Sequence, residues 1–94
     1  DMPPLLQSLR AALAQADTPT AVRAAHTLKS CAATVAAREL ARLAAATETH
    51  ARAGDMDEVA RQLPELAALV DQTTRQLCAI RDELQRAERA ASPA

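Results

Sequence analysis

Apolar residues recur at helical spacing in four stretches of this chain, separated by residues that end or begin helices. Leu5, Leu6, Leu9, Ala12 and Leu13 fall on one face of a first helix. Pro3-Pro4 suits its opening turn, where a missing backbone N–H costs little. Asp17-Thr18-Pro19 interrupts the pattern. Asp17 or Thr18 can cap a second helix that holds Pro19 in its first turn and is predicted over 19–34. This helix carries two lines. Ala21, Ala25, Leu28, Ala32 and Val35 form an apolar line suited to a core. Val22, His26, Lys29 and Ala33 form another, turned by about 100° around the cylinder, on a face that need not be buried.

A weak break is expected at Val35-Ala36-Ala37, followed by a third helix through Leu40, Leu43, Ala44, Thr47 and Ala51. Gly54, the only glycine, stands where a left-handed C-terminal cap is wanted. Asp55 follows as the next N-cap, with Glu58 three residues later as its capping-box partner. Beyond Met56, residues Val59, Leu63, Leu66, Val70, Thr73, Leu77, Ile80 and Leu84 alternate spacings of four and three, the seam of left-handed helix packing. Pro64 within that run is expected to kink the helix or divide it in two, and the tail from Arg89 to Ala94 to fray. The pattern predicts an all-α fold. Four short-linked amphipathic helices make an antiparallel up-down-up-down bundle, a single domain over 1–94 with a core at roughly 3–88.

Composition supports helices and removes several function classes. Ninety-four residues suffice for one domain, with too little core for a deep substrate cavity. Alanine, the strongest helix former, supplies much of the 49 % hydrophobic share. A net charge of −1 and the lack of aromatic residues argue against nucleic acid as a partner. No apolar run approaches the ~20 residues of a bilayer span, so direct membrane contact is not expected. The chain starts at Asp1 rather than Met, as a piece of a longer protein would. Cys31 and Cys78 read as two free thiols packed as small hydrophobes. A metal site from Cys31, Cys78, His26 and His50 would need ligands converging from three helices, with no supporting spacing.

His26 is the candidate nucleophile. An imidazole titrates close enough to neutrality to keep a nitrogen lone pair available, and attack on phosphorus gives a reactive N–P bond suited to onward transfer. Lys29, one turn later on the same face, can screen the incoming charge or hold a phosphoryl oxygen. Arg23, one turn earlier, has the same sign. A His-x-x-Lys pair on a helix is by itself a common surface arrangement.

The wider stretch Ala25-His26-Thr27-Leu28-Lys29-Ser30 resembles the signature of histidine-phosphotransfer (HPt) domains, alanine–histidine–any–leucine–lysine–glycine or serine. The resemblance continues in register through Leu40, Leu43, Glu48 and the Gly54-Asp55 corner. It implies that His26 is the phosphoacceptor and Lys29 a supporting cation, with Ser30 filling the small-residue position behind them. Arg23, Ser30, Ala33 and Ala36 would then belong to the surface on which a receiver domain docks. Ala33 and Ala36 stand where the family often has glycine, and Thr47 where a larger apolar residue is usual, which suggests a thinner core there. His50 has no role in the family pattern and reads as structural or as sitting at the solvent edge.

Such a domain would relay a phosphoryl group from a receiver-domain aspartate to a response-regulator aspartate in two-component signal transduction. It would hold no cofactor, the receiver supplying Mg²⁺, and no glycine-rich phosphate loop offers an ATP site. The resemblance extends to the C-terminal modules of bacterial hybrid sensor histidine kinases, which implies a domain that is monomeric in isolation and cytoplasmic, at the cytoplasmic end of an inner-membrane sensor kinase. Two other readings stand beside it. One is a non-catalytic coiled-coil module using the 59–84 seam, against which Pro64 counts. The other is a histidine-kinase dimerisation domain, in which an acidic residue usually follows the histidine where this chain has Thr27.

Overall fold

The computed structural model describes residues 2–35 and 37–91. Four helices run through them: α1 (Met2–Ala14), α2 (Thr18–Thr34), α3 (Arg38–Arg52) and α4 (Met56–Ala91). No strand occurs among the described residues. Each helix packs on the next, and α4 returns to α1, so the four close into an up-down-up-down bundle.

The corners follow from the local sequence. At the first, the Asp17 carboxylate accepts from the Thr20 backbone N–H at 3.3 Å and from the Thr20 hydroxyl at 2.6 Å, with Pro19 in the opening turn of α2. Preceding it, Ala16 adopts a left-handed φ of 53°, and the Asp17 N–H bonds the Ala12 carbonyl five residues back. The third corner repeats that closure. Gly54 has φ 77°, and the Asp55 N–H bonds the His50 carbonyl at 2.9 Å. Asp55 caps the Glu58 N–H at 3.2 Å. The return half of the expected capping box is missing, because the Glu58 carboxylate turns to Arg61 at 2.6 Å instead. An available guanidinium outcompetes a backbone N–H for a carboxylate.

The core is built largely from alanine. Seven of the fifteen buried hydrophobic residues are Ala12, Ala21, Ala24, Ala25, Ala32, Ala44 and Ala51. Leu9, Leu28, Leu40, Leu66 and Val59 supply its bulk. Small residues on facing sides let helices approach closely, and the α2–α3 pair, with Ala21, Ala25 and Ala32 on one side and Ala44 and Ala51 on the other, has the most extensive contact. Thr47 does not leave a thin spot. It is fully buried, and its hydroxyl proton has two acceptors within reach, the Leu43 carbonyl at 2.9 Å and the Gln62 Oε1 at 2.8 Å.

Several expectations need correction. Pro64 does not divide the fourth helix, which runs unbroken for 36 residues. Pro64 is exposed; Val59 before it and Leu66 after it are both fully buried in the bundle, and solvent can satisfy the carbonyl its ring leaves free. The seam is buried only through Val59, Leu66, Val70 and Thr73. Beyond it Leu77, Ile80 and Leu84 are exposed by 37, 54 and 60 %, because α1, α2 and α3 are only 13 to 17 residues long and end before α4 does. The molecule is accordingly elongated, 59 × 22 × 18 Å. The helix extends through Ala91, and residues 92–94 of the tail lie outside those described. Val35 is exposed at the end of α2 rather than buried. Cys31 is half-buried as a small hydrophobe, but Cys78 is exposed on the overhang.

Gly54 and Ala16 occupy the same kind of corner, which fixes opposite outcomes for opposite substitutions. No atom would meet a Cβ at Gly54, so Gly54→Ala should cost only the left-handed strain, roughly 1 kcal/mol. Ala16→Gly should relieve that strain, with a net gain of about 0.5 kcal/mol after the added freedom of the unfolded chain. Thermal or urea unfolding of both variants checks the pair of signs.

Candidate functional site

The site lies where α2 meets α3. Leu28 and Ala25 bury the inner face of α2, and this rotation leaves His26 outward and 54 % exposed. On α3, Ala44, Thr47 and Ala51 face the core. Glu48 shares their edge and reaches across to α2. Its side chain is only 8 % exposed, and it is the one buried charged residue among those described.

Three cationic or potentially cationic groups surround that carboxylate. Lys29 Nζ donates to Oε1 at 2.9 Å. Arg52, one turn further along α3, donates to Oε2 from its terminal nitrogen at 2.7 Å and from Nε at 3.2 Å. His26 Nδ1 lies 3.0 Å from the same Oε2. Lys29 and Arg52 hold the Glu48 carboxyl down at about 2, against the desolvation that burial imposes. Glu48 is therefore an anion and can only accept. The His26 Nδ1 must carry the proton, which puts the ring's lone pair on Nε2. A half-exposed imidazole with a fixed tautomer can offer that lone pair to an incoming electrophile.

The other residues singled out by sequence divide. Arg23 is exposed and bonds the Thr20 hydroxyl at 3.2 Å, towards the start of α2 rather than towards Glu48. The Ser30 hydroxyl donates to the His26 carbonyl at 3.2 Å, keeping a small group beside the ring. Ala33 is exposed two turns beyond His26. Ala36 lies outside the described residues. His50 sits at the edge by the third corner, its Nδ1 3.9 Å from Asp55, and does not approach His26. No group of three or more His, Cys, Asp or Glu side chains able to hold a metal occurs among the described residues.

Glu48 and Arg52 were not picked out as site residues by sequence reasoning, although Glu48 lies in the matching register. A signal for Glu48 existed: a carboxylate at a core-edge position of α3, next to Thr47, needs a partner. For Arg52 the only signal was its place four residues after Glu48.

The space around the site is open. His26 lines none of four shallow surface grooves. One of these, about 290 Å³ between α1 and α2, runs close by and is lined by Leu5, Ser8, Thr20, Arg23, Ala24 and Thr27. A reacting group must reach the histidine on another macromolecule's surface or from solvent.

Glu48 ties the site to stability. Its carboxyl is lowered from 4.5 to about 2, so the stabilisation it gives is complete above about pH 4.5 and disappears as pH falls towards about 2. Glu48→Gln should flatten the loss of thermal stability across that window, measured by melting curves at stepped pH.

Neither the curated proteins nor the solved structures compared with the chain include a match. No described helix is long and apolar enough to cross a membrane. A family model described as Hpt domain matches residues 1–90, nearly the whole chain and all of the helices that build the site. The four-helix architecture, the outward histidine and this match agree: the chain belongs to the Hpt domain family.

Proposed function

We propose that His26 accepts a phosphoryl group from a receiver-domain aspartate and passes it to the aspartate of a response regulator. Membership in the family supports histidine phosphotransfer in phosphorelay signalling, with receiver domains and response regulators as the kind of partner. The observation that carries the assignment to His26 is its pairing with the buried, ionised Glu48.

In the forward step the Nε2 lone pair attacks phosphorus, an N–P bond forms, and the acyl–phosphate bond breaks to leave the receiver's aspartate as a free carboxylate. Positive charge develops on the ring as its lone pair is shared. The Nδ1–H remains on the ring and keeps donating to Glu48, whose negative charge stabilises that developing imidazolium, as a buried aspartate does in hydrolase triads. Lys29 can release Oε1 and follow the phosphoryl oxygens, since Arg52 remains to hold the carboxylate. The return step reverses these movements onto a second aspartate. In this reading Mg²⁺ belongs to the receiver, and nothing in this domain needs to bind nucleotide.

The exposed surface of α2 beyond the histidine is where the receiver would rest. Ala33 lies about 10.5 Å further along the same face, and its single methyl lets another backbone approach. The coiled-coil alternative loses its proximal half, because Val59, Leu66, Val70 and Thr73 are buried within the bundle.

His26→Gln should abolish acceptance from a phosphorylated receiver while leaving the domain folded and helical, because the Gln amide can still donate towards Glu48. His50→Gln should transfer normally, and label on His50 would overturn the assignment. Lys29→Ala should slow transfer without eliminating it, and an unchanged rate at physiological salt would remove Lys29 from the mechanism. Ala33→Arg should lower receiver binding and transfer at least tenfold, about 1.4 kcal/mol, with folding intact. Unfolding by this change, or a wild-type rate, would move the docking surface elsewhere.

A further inference from the structure

We propose that the overhanging end of α4 pairs antiparallel with the same segment of a second copy of this chain, joining two domains tail to tail. This pairing is independent of the role given to His26, and it departs from the monomer that the family resemblance implies. Among the described residues, the exposed large hydrophobics are Val35, Leu77, Ile80 and Leu84, and all lie at one end of the molecule. Val35 and Leu77 line one groove with Met2 and Pro3 at the foot of the bundle. Ile80 and Leu84 continue the line along the free helix, and Ala87 and Ala91 extend it at the same spacing of three and four. A continuous apolar stripe on an otherwise solvated helix is an interaction face.

Charge and geometry together select the occupant. Between Leu77 and Ala91, Arg81, Arg86 and Arg89 are balanced by Asp82, Glu83 and Glu88. This neutral segment offers no basic face to a phospholipid surface or to nucleic acid. The stripe prolongs the side of α4 that α1 and α3 cover within the bundle. A parallel partner helix laid on it would run on into those helices. It would also set Glu83 against Glu88 of the second copy. An antiparallel partner leads away from the bundle, and its tip clears Met2 and Val35 when the two overhangs meet near their ends.

One register satisfies that clearance with opposite charges in contact. It places Leu84 opposite Ala87 and Ile80 opposite Ala91 of the second copy, and by two-fold symmetry the reverse. A large side chain faces a small one in each layer, so the helices can approach closely. The same register sets Arg81 beside Glu88 of the second copy, twice. Arg81 is 64 % exposed and has only a 3.6 Å contact with Asp82, and Glu88 is exposed. A register one heptad deeper would oppose Arg81 to Arg81 and Glu83 to Glu83, and would drive the tip into the foot of the bundle. The paired stretch, residues 80–91, is about 17 Å long. That length belongs to the small interfaces of weak, reversible complexes, below about 1,200 Å² in total. Both His26 sites stay on the bundles, outside the groove and the overhang.

The test uses the whole domain in reducing buffer, which removes a Cys78 disulfide as a cause of association. Sedimentation equilibrium and small-angle X-ray scattering are recorded from about 20 μM to about 1 mM, the range in which so small an interface should begin to associate. The mass should rise from one chain towards two. The longest dimension should grow from 59 Å to about 100 Å, two molecules overlapping by about 17 Å. Leu84→Glu, at a position 60 % exposed, should weaken association at least tenfold with unchanged circular dichroism. Arg81→Glu and Glu88→Arg should each weaken it several-fold, because like charges then meet twice. A 1:1 mixture of those two variants should associate as wild type does, because every pair is opposite again. A wild type that is monomeric at about 1 mM would overturn the proposal, and sedimentation of that monomer with anionic phospholipid vesicles would make the stripe a membrane face. A dimer that survives Leu84→Glu, or one whose length stays near 59 Å, would overturn the tail-to-tail arrangement. A mixture no tighter than either charge variant alone would overturn the antiparallel register. If Leu84→Glu does not fold, Leu84→Gln takes its place.

Discussion

A carboxylate cannot be withdrawn from water without cationic or hydrogen-bonding company, and the placement of Glu48 organises this domain around that requirement. Its side chain is almost fully covered where α3 meets α2, yet it stays ionised because Lys29, Arg52 and His26 share its two oxygens. Two of those partners come from α2 and one from α3. The anion therefore fixes the rotation and register of the two helices at the point where chemistry would occur. It also dictates which nitrogen of His26 holds the proton. A single buried charge thus links helix packing to the nucleophile's tautomer.

That arrangement needs two backbones close enough for a glutamate to span them. Alanine provides the closeness. Ala21, Ala25 and Ala32 on α2 face a helix whose inner side is Ala44, Thr47 and Ala51. Larger residues would push the helices apart by an ångström or more, and the contacts at 2.7 to 3.0 Å around Glu48 would open. A core poor in bulk stabilises weakly per residue. The same poverty of bulk brings the polar cluster into contact, so the alanine content that looks like simple helix propensity is also a condition for the site.

The fourth helix follows a different logic. Its proximal half completes the bundle, while its distal half extends beyond the ends of the shorter helices and keeps Leu77, Ile80 and Leu84 in contact with solvent. The apolar spacing does not change at Thr73. What changes is the supply of neighbouring helix to bury it.

By itself the sequence determined the four helices, the first and third corners and most of the inward faces of α1, α2 and α3, because these depend on spacing, proline, glycine and capping within a few residues. It also brought His26, Lys29 and the family resemblance into view, since those lie on one turn of one helix. Tertiary structure decided everything that needed a second helix. It joined Glu48 to His26 across 22 positions of sequence, drew Lys29 to that carboxylate and turned Arg23 away. It also carried the helix through Pro64 and ended the burial of the seam at Thr73. Local pattern states which face of a helix is apolar, but burial depends on how long the neighbours are. Likewise a charge acquires its function from the groups that folding brings to it, and their distance along the chain says nothing about their distance in space.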